Sequence, residues 1–284
     1  MNEIKLRAMG KINLNLLITG KRDNGYHDIK SVFQVIDLAD EITIRKNIKF
    51  KLITNSNVLN SDIEKNIIYK AYNYMKTLYP TIGGVTVVLT KVIPMEAGLG
   101  GGSADCAAFL MGLNKLYDLK ISMAKLEKIG AKLGADVVPL MHRGAYVVTG
   151  IGDELEKINA KARYNVVIIK PDFSSSTKEM YKEYDNNKEL VQVDNTDKIV
   201  KFLETGDFSL LPGSLYNVFE EVNPDRDKIL EIKKELKESG AVEALMSGSG
   251  SSIYGIYDNL GDAIRTHLKL SKKYKSYFCQ AFFG

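Results

Sequence analysis

Two spacings of apolar side chains divide this chain into expected strands and helices. In Lys11–Ile18 the apolar positions 12, 14 and 16 alternate with polar ones, the period of a strand with one buried face. The same reading covers Glu3–Met9, Val32–Leu38, Asp40–Leu52 (an expected hairpin) and the apolar run Val85–Val92. A charged turn over Lys21–Gly25 leads into Tyr26-His27-Asp28. The spacing lengthens to that of a helix over Asn66–Leu78, with Ile67, Tyr69, Ala71 and Met75 expected on one face. It does so again over Met123–Leu133, where Leu126, Ile129 and Leu133 recur before Gly134 stops the helix. Asp136 stands just past that stop, in Gly134-Ala-Asp-Val-Val-Pro139.

A Gly- and charge-rich segment at 150–163 reads as a boundary. Beyond it come a strand at Tyr164–Ile169, a helix at Ser174–Tyr184 and a polar surface loop at Asp185–Asp197. Asn223-Pro224 opens a helix with Pro at its first position, Ile229, Ile232 and Leu236 on one face, and Gly240 as its stop. Strands Val242–Met246 and Ile253–Tyr257 flank the turn Ser247–Ser252, and a helix at Leu260–Leu270 and a strand at Ser276–Phe282 follow. The expected architecture is α+β in two lobes, residues 1–155 and 156–284, with a cleft between them. The second lobe has the elements of a small split-βαβ sheet.

Composition narrows the function classes. A content of 45% hydrophobic and 26% charged residues is that of a soluble globular protein. The net charge of +4 suits an anionic substrate and lacks the dense basic stripe of a nucleic-acid binder. Two cysteines, Cys106 and Cys279, and three widely spaced histidines offer neither a disulfide framework nor a zinc constellation. Cys106 lies on an apolar helix face, so an inert buried thiol is expected. No apolar run approaches the roughly 18 residues of a membrane span, and no signal-peptide pattern opens the sequence. A cytoplasmic protein is expected, a monomer or weak homodimer, without membrane or nucleic-acid partners.

The chemistry concentrates in Pro94–Ala108. Four of the five residues from Gly98 to Gly102 are glycine, and the stretch runs from an apolar strand into a helix marked by Cys106, Phe109, Leu110 and Leu113. Glycines let backbone N–H groups approach an anion, and a helix N-terminus adds the positive end of its dipole. Ser103 is the expected N-cap. The Walker loop requires Lys after its last glycine, and a dinucleotide fingerprint requires glycine where Ser103 stands. A third kind of nucleotide site is therefore expected, its cation supplied by a Lys elsewhere or by Mg²⁺.

Six segments, Lys11-Ile-Asn-Leu-Asn-Leu, Gly25-Tyr-His-Asp, Asn66-Ile-Ile-Tyr-Lys-Ala, Pro94–Ala108, Gly134-Ala-Asp-Val-Val-Pro139 and Met246-Ser-Gly-Ser-Gly250, resemble in sequence and order the GHMP kinases. Among these, the chain is most similar to the branch serving the non-mevalonate isoprenoid route. The resemblance implies an N-terminal lobe like domain 2 of ribosomal protein S5, binding ATP, and a ferredoxin-like C-terminal lobe closing the substrate cleft. It implies ATP-dependent phosphorylation of the 2-hydroxyl of 4-diphosphocytidyl-2-C-methylerythritol, a cytidyl diphosphate substrate. Asp136 matches the catalytic carboxylate that accepts the hydroxyl proton, and Lys11 the cation that balances phosphoryl charge.

ATP is assigned to Pro94, Gly98, Leu99, Gly100, Gly101, Gly102, Ser103 and Ala104, with Asn66 and Lys91 near adenine. Ser103 is the one candidate for contact with Mg²⁺. The cytidyl end falls to Tyr26 and His27, with Tyr181 preferred to Phe173 as a second stacking ring, and Asn13 beside the erythritol. The sequence departs from the family pattern at Ala104, where many members have a second Ser, at Ser251 in place of Pro, and at Cys106. Rival readings are a homoserine- or mevalonate-type kinase, and a non-catalytic nucleotide-sensing or RNA-associated protein.

Overall fold

The computed structural model describes residues 1–57, 59, 62–187 and 190–283. They form two compact units. The first comprises 1–10, 39–95 and 100–142, and the second 11–38, 96–99 and 143–284. Strands β1 (Glu3–Lys21) and β2 (His27–Asn47) each pass through both units, so the short strands expected at 3–9, 11–18 and 32–38 are stretches of two long ones. Neither contains a proline that would withdraw an N–H donor from the ladder.

In the first unit the expected hairpin over Asp40–Leu52 does not form. Strand β3 (Lys51–Thr54) pairs in parallel with β4 (Gly84–Thr90), Leu52 opposite Val87. β4 in turn pairs antiparallel with the end of β2, Ile42 opposite Leu89. Burial decides the order. Val85, Val87 and Leu89 of β4 are almost fully buried, so β4 takes the inner place and the half-exposed β3 the edge.

Helix α1 (Ile67–Leu78) starts one residue later than expected, because the Asn66 side chain caps the Ile68 N–H. Its buried face is accordingly Ile68, Ala71, Tyr72 and Met75, not the expected Ile67 and Tyr69. Helix α2 (Gly101–Leu116) is buried along most of its length. Helix α3 (Met123–Ala131) ends before Leu133, whose N–H and that of Gly134 turn back onto the Gly130 carbonyl. Helix α4 (Val137–Met141) follows directly.

The second unit holds a four-stranded antiparallel sheet of β7 (Asn165–Lys170), β9 (Glu243–Met246), β10 (Ile253–Tyr257) and β11 (Lys275–Gln280), in the order β11-β7-β10-β9. Helices α8 (Arg226–Glu238) and α9 (Leu260–Leu270) complete the βαββαβ arrangement of a ferredoxin-like fold. Pro224 stays outside α8, because the Asn223 side chain accepts the Asp225 N–H and sets a turn before the helix begins.

The segment 150–163 is structured rather than a bare boundary. Strands β5 (Ala145–Thr149) and β6 (Glu154–Ile158) form a hairpin there, and β5 also pairs with β2. The expected loop 185–197 contains the end of α5 (Thr177–Asn186) and the start of α6 (Thr196–Thr205); its residues 188 and 189 lie outside the described residues. Short β8 (Tyr216–Asn217) and α7 (Val218–Glu221) complete the unit, with β8 parallel to β1.

The core beneath the four-stranded sheet joins Leu16 and Ile18 of β1 to Val167, Ile169, Phe219, Ile229, Ile232, Leu236 and Tyr257. The fully buried Tyr254 hydroxyl donates to the Asn13 carbonyl of β1 at 2.8 Å, linking β10 to the strand that carries Lys11 and Asn13. Removing that hydroxyl strands a buried acceptor. Tyr254→Phe is expected to lower unfolding stability by about 1–2 kcal/mol in urea titration, with no change in the mid-range fold.

Candidate active site

The glycine-rich segment is shaped by two left-handed glycines. Gly98 has φ +73° and Gly100 φ +67°. A β-carbon on Gly98 would stand 1.9 Å from the Ser247 carbonyl oxygen, so only glycine fits where these backbones meet. Gly100, not Ser103, is the N-cap of α2, and its carbonyl accepts the Ala104 N–H at 2.8 Å. Ser103 is instead the third residue inside the helix. The left-handed turn at Gly100 starts the helix without a side-chain cap, which leaves the Ser103 hydroxyl for another partner. The N–H groups of Gly101, Gly102 and Ser103 lie in the first turn, where an α-helix offers them no carbonyl.

Buried charge lies behind this turn. Lys91 Nζ is 2.7 Å from Asp105 on α2 and also bonds Asp40 on β2. Asp40 is fully buried, and its second oxygen accepts the Val92 and Ile93 N–H groups, fixing the chain just before Pro94. Lys91 Nζ also lies 3.3 Å from where a Gly101 β-carbon would be. Burial works against the Lys91 ammonium, but the two carboxylates hold its pKa above the ordinary value. Burial pushes the Asp105 carboxyl up to about 7, against the pull of Lys91. Its Oδ1 is buried without a hydrogen-bond partner among the described residues. Burial, with Asp105 beside it, pushes the Cys106 thiol up to about 12, leaving it unreactive at neutral pH.

Asn66 is buried, with its side-chain oxygen committed to capping α1. Asp136 occupies the N-cap position of α4, half-buried, and makes no capping hydrogen bond to that helix. Gly134, two residues earlier, sits where a β-carbon would be 3.9 Å from Ser103 Oγ, which brings the Gly134–Asp136 turn beside the start of α2.

In the second unit Lys11 and Asn13 share one face of β1. Both are more than nine-tenths buried, and Lys11 Nζ donates to Asn13 Oδ1 at 2.6 Å. The Lys11 N–H donates to the Leu99 carbonyl, and the Lys11 ammonium lies 5.7 Å from the centre of the Phe33 ring. Asn13 donates to Ser31 at 2.8 Å. The turn between β9 and β10 closes on the same residues: Ser247 Oγ accepts the Asn13 N–H and donates to the Gly98 carbonyl at 2.9 Å. A β-carbon on Gly248 would meet Lys11 Nζ at 3.2 Å. Asn217 holds the turn by donating to the Met246 and Gly248 carbonyls. Lys11, Asn13, Gly98, Leu99 and the Ser247 turn are thus gathered.

Tyr26 is 62% exposed at the end of the β1–β2 turn. His27 is buried; its ring stacks on Tyr181 (centroids 4.7 Å, 15°), and its Nε2 lies 2.8 Å from Asp185. Phe173 packs elsewhere, under the Lys228 ammonium.

Sequence reading passed over Asp40, Asp105, Asp185 and Asn217. A signal existed for the first two. Asp40 shares the buried parity of Ile42 and Ile44, and Asp105 lies one turn before Phe109 on the apolar face.

Two stability experiments follow from this geometry. Gly98→Ala is expected to lose about 3 kcal/mol from backbone overlap and left-handed strain. Gly102→Ala, with nothing within 4 Å of its β-carbon, is expected to hold or gain stability in the same urea titration. The folded chain keeps a proton on Asp105 where the unfolded chain has released it. The contribution of Asp105 is therefore complete below about pH 4 and lost as pH rises through about 7. Asp105→Asn is expected to flatten the stability–pH curve over that window. Asp40→Asn is expected to cost about 3–5 kcal/mol, because it strands the buried Lys91.

Comparison with known proteins places these residues in context. The family model described as "GHMP kinases N terminal domain" matches residues 66–144, and "GHMP kinases C terminal" matches 199–276. A 4-diphosphocytidyl-2-C-methyl-D-erythritol kinase of Lachnospira eligens is 38% identical over 260 residues, 90% of each chain. One from Alkaliphilus metalliredigens is 37% identical over 278 residues, covering 97% of this chain and 95% of its own. A crystal structure of 4-(cytidine 5'-diphospho)-2C-methyl-D-erythritol kinase superposes with a TM-score of 0.84 at 25% identity, over 99% of this chain and 100% of the other.

Proposed function

Because the chain belongs to the GHMP kinases, and within them to the family of the 4-diphosphocytidyl-2-C-methyl-D-erythritol kinases, we propose that it transfers the terminal phosphoryl group of ATP to the 2-hydroxyl of 4-diphosphocytidyl-2-C-methyl-D-erythritol. The observation that carries the proposal is the capless, glycine-started helix α2 with the Asp136 turn beside Ser103. That turn places a carboxylate near an N-terminus suited to phosphates.

ATP is held along Pro94, Gly98–Ala104, Asn66 and Lys91. The backbone N–H groups of the first turn of α2 take the phosphates. Lys91, fixed by Asp40 and Asp105, supports the chain beneath them. Asp136 accepts the proton of the attacking hydroxyl, and Lys11 supplies positive charge to the group in transfer. Transfer is direct, with catalysis by positioning and electrostatics.

Mg²⁺ would enter with the triphosphate and neutralise charge on its oxygens. Among the described residues no three His, Cys, Asp or Glu side chains gather as a cage, while the half-buried Ser103 hydroxyl fits a single contact to such an ion. Asn13 orients the erythritol, and Tyr26, His27 and Tyr181 take the cytosine. A base–aromatic stack contributes about 1–3 kcal/mol.

Residues 1–155 serve as the ATP domain and 156–284 as the domain closing on the substrate, a division that falls between the two family segments. No helix among the described residues is long and apolar enough to cross a membrane. We place the protein in the cytoplasm as a monomer or weak homodimer, without nucleic-acid partners.

Asp136→Ala is expected to lower kcat about 10³-fold in ADP release with the cytidyl substrate, and Lys11→Met about 10²-fold. Undiminished turnover in Asp136→Ala, with the fold intact, would remove the proposed base.

A further inference from the structure

The end of α5 surrounds one histidine. Tyr181, Tyr184 and Asp185, at helical spacings of three and four, lie on one face of the helix and all meet His27. Tyr181 stacks on the ring and Tyr184 meets it edge-on at 6.1 Å. Asp185 Oδ1 lies 2.8 Å from Nε2, while its other oxygen accepts from Lys21 at 2.6 Å. The His27 side chain is 5% exposed and that of Asp185 31%. Lys21, with His27 adding to it, holds the Asp185 carboxyl below its ordinary pKa, so it is an ionised acceptor at neutral pH. Nδ1 of His27 bonds no described residue and is not sealed from solvent.

A neutral imidazole carries one N–H and one lone pair, and the partner of one nitrogen sets the role of the other. A carboxylate at Nε2 can only accept, so the proton sits on Nε2 and Nδ1 presents its lone pair. We propose that Asp185 is a positioning residue for base recognition: by holding His27 in the Nε2–H tautomer it makes Nδ1 an acceptor, which selects the 4-amino group of cytosine against the 4-oxo group of uracil. This rests on the assignment of the cytidyl end to His27 made above. The selectivity follows from complementarity, since cytosine offers an N–H donor at that position and uracil an acceptor. Two acceptors facing each other leave both unsatisfied. The Lys21 contact keeps Asp185 from turning away, and the Tyr181 stack keeps the ring plane fixed.

The test uses the full chain at pH 8. Nitrogen-15 NMR of the ring, with His27→Gln identifying the signal, reads the tautomer. Displacement assays with CDP and UDP read the base preference. The native chain is expected to show Nδ1 unprotonated and CDP preferred. In Asp185→Asn the amide can donate to Nε2, which moves the ring proton to Nδ1. The CDP/UDP preference is expected to fall about tenfold, with the loss of activity appearing in KM more than in kcat. Asp185→Ala is expected to give a mixed tautomer and an intermediate preference.

A native ring protonated at Nδ1 would overturn the proposal, as would an unchanged tautomer and preference in a folded Asp185→Asn. Failure of the cytidyl assignment looks different. There the native chain would show no CDP preference and His27→Gln no effect on CDP, while the ring signal still reports whether Asp185 sets the tautomer.

Discussion

The approach of two backbones at Gly98 and Ser247 is the constraint on which the second unit's site residues depend. No side chain fits at Gly98, since its β-carbon would overlap the Ser247 carbonyl. With the backbones that close, Ser247 Oγ reaches both the Gly98 carbonyl and the Asn13 N–H. Three distant parts of the chain, a glycine-rich segment, a long strand and a sheet turn, are thereby fixed against each other. Lys11 and Asn13 inherit their positions from this junction, and Asn217 and Tyr254 reinforce it from β8 and β10.

The first unit solves a different problem, that of holding a helix N-terminus open. A side-chain cap would consume the N–H groups that an anion needs. Starting α2 from a left-handed glycine avoids the cap, and the Asp40–Lys91–Asp105 cluster secures the chain on either side of the turn through buried charge. Buried ion pairs of this kind cost desolvation and are retained where they fix geometry. Here they fix the strand end, the start of the loop and the first turns of the helix. In the second unit, α5 orders three side chains around His27 in the same spirit, through an ion pair and ring stacking.

Much of this was legible from local pattern. The helix at Leu260–Leu270 and the strand at Ile253–Tyr257 have the bounds the spacing gives, because their signals lie within one element. The misreadings lie where a distant partner decides. Asp40–Leu52 looks like a hairpin until β4, more apolar than β3, takes the place between its halves. Ser103 looks like a cap because sequence does not reveal that Gly100 turns left-handed first. Lys11 alone reads as a solvated strand residue, yet it is buried against Asn13 and Phe33. Asp185, read as part of a polar loop, is the helical residue that meets His27. The residues of the candidate site were found through six ordered segments; the carboxylates that support them were not, since their partners are remote in sequence.

The most direct test is a competition in one vessel. The native chain, ATP and Mg²⁺ are offered 4-diphosphocytidyl-2-C-methyl-D-erythritol, homoserine and mevalonate together, and phosphorus-31 NMR identifies which alcohol gains a phosphate monoester. A new monoester on the 2-hydroxyl of the cytidyl compound alone is the expected result. Phosphorylation of homoserine or mevalonate in its place, or of none of the three by a folded chain that binds ATP, would contradict the account.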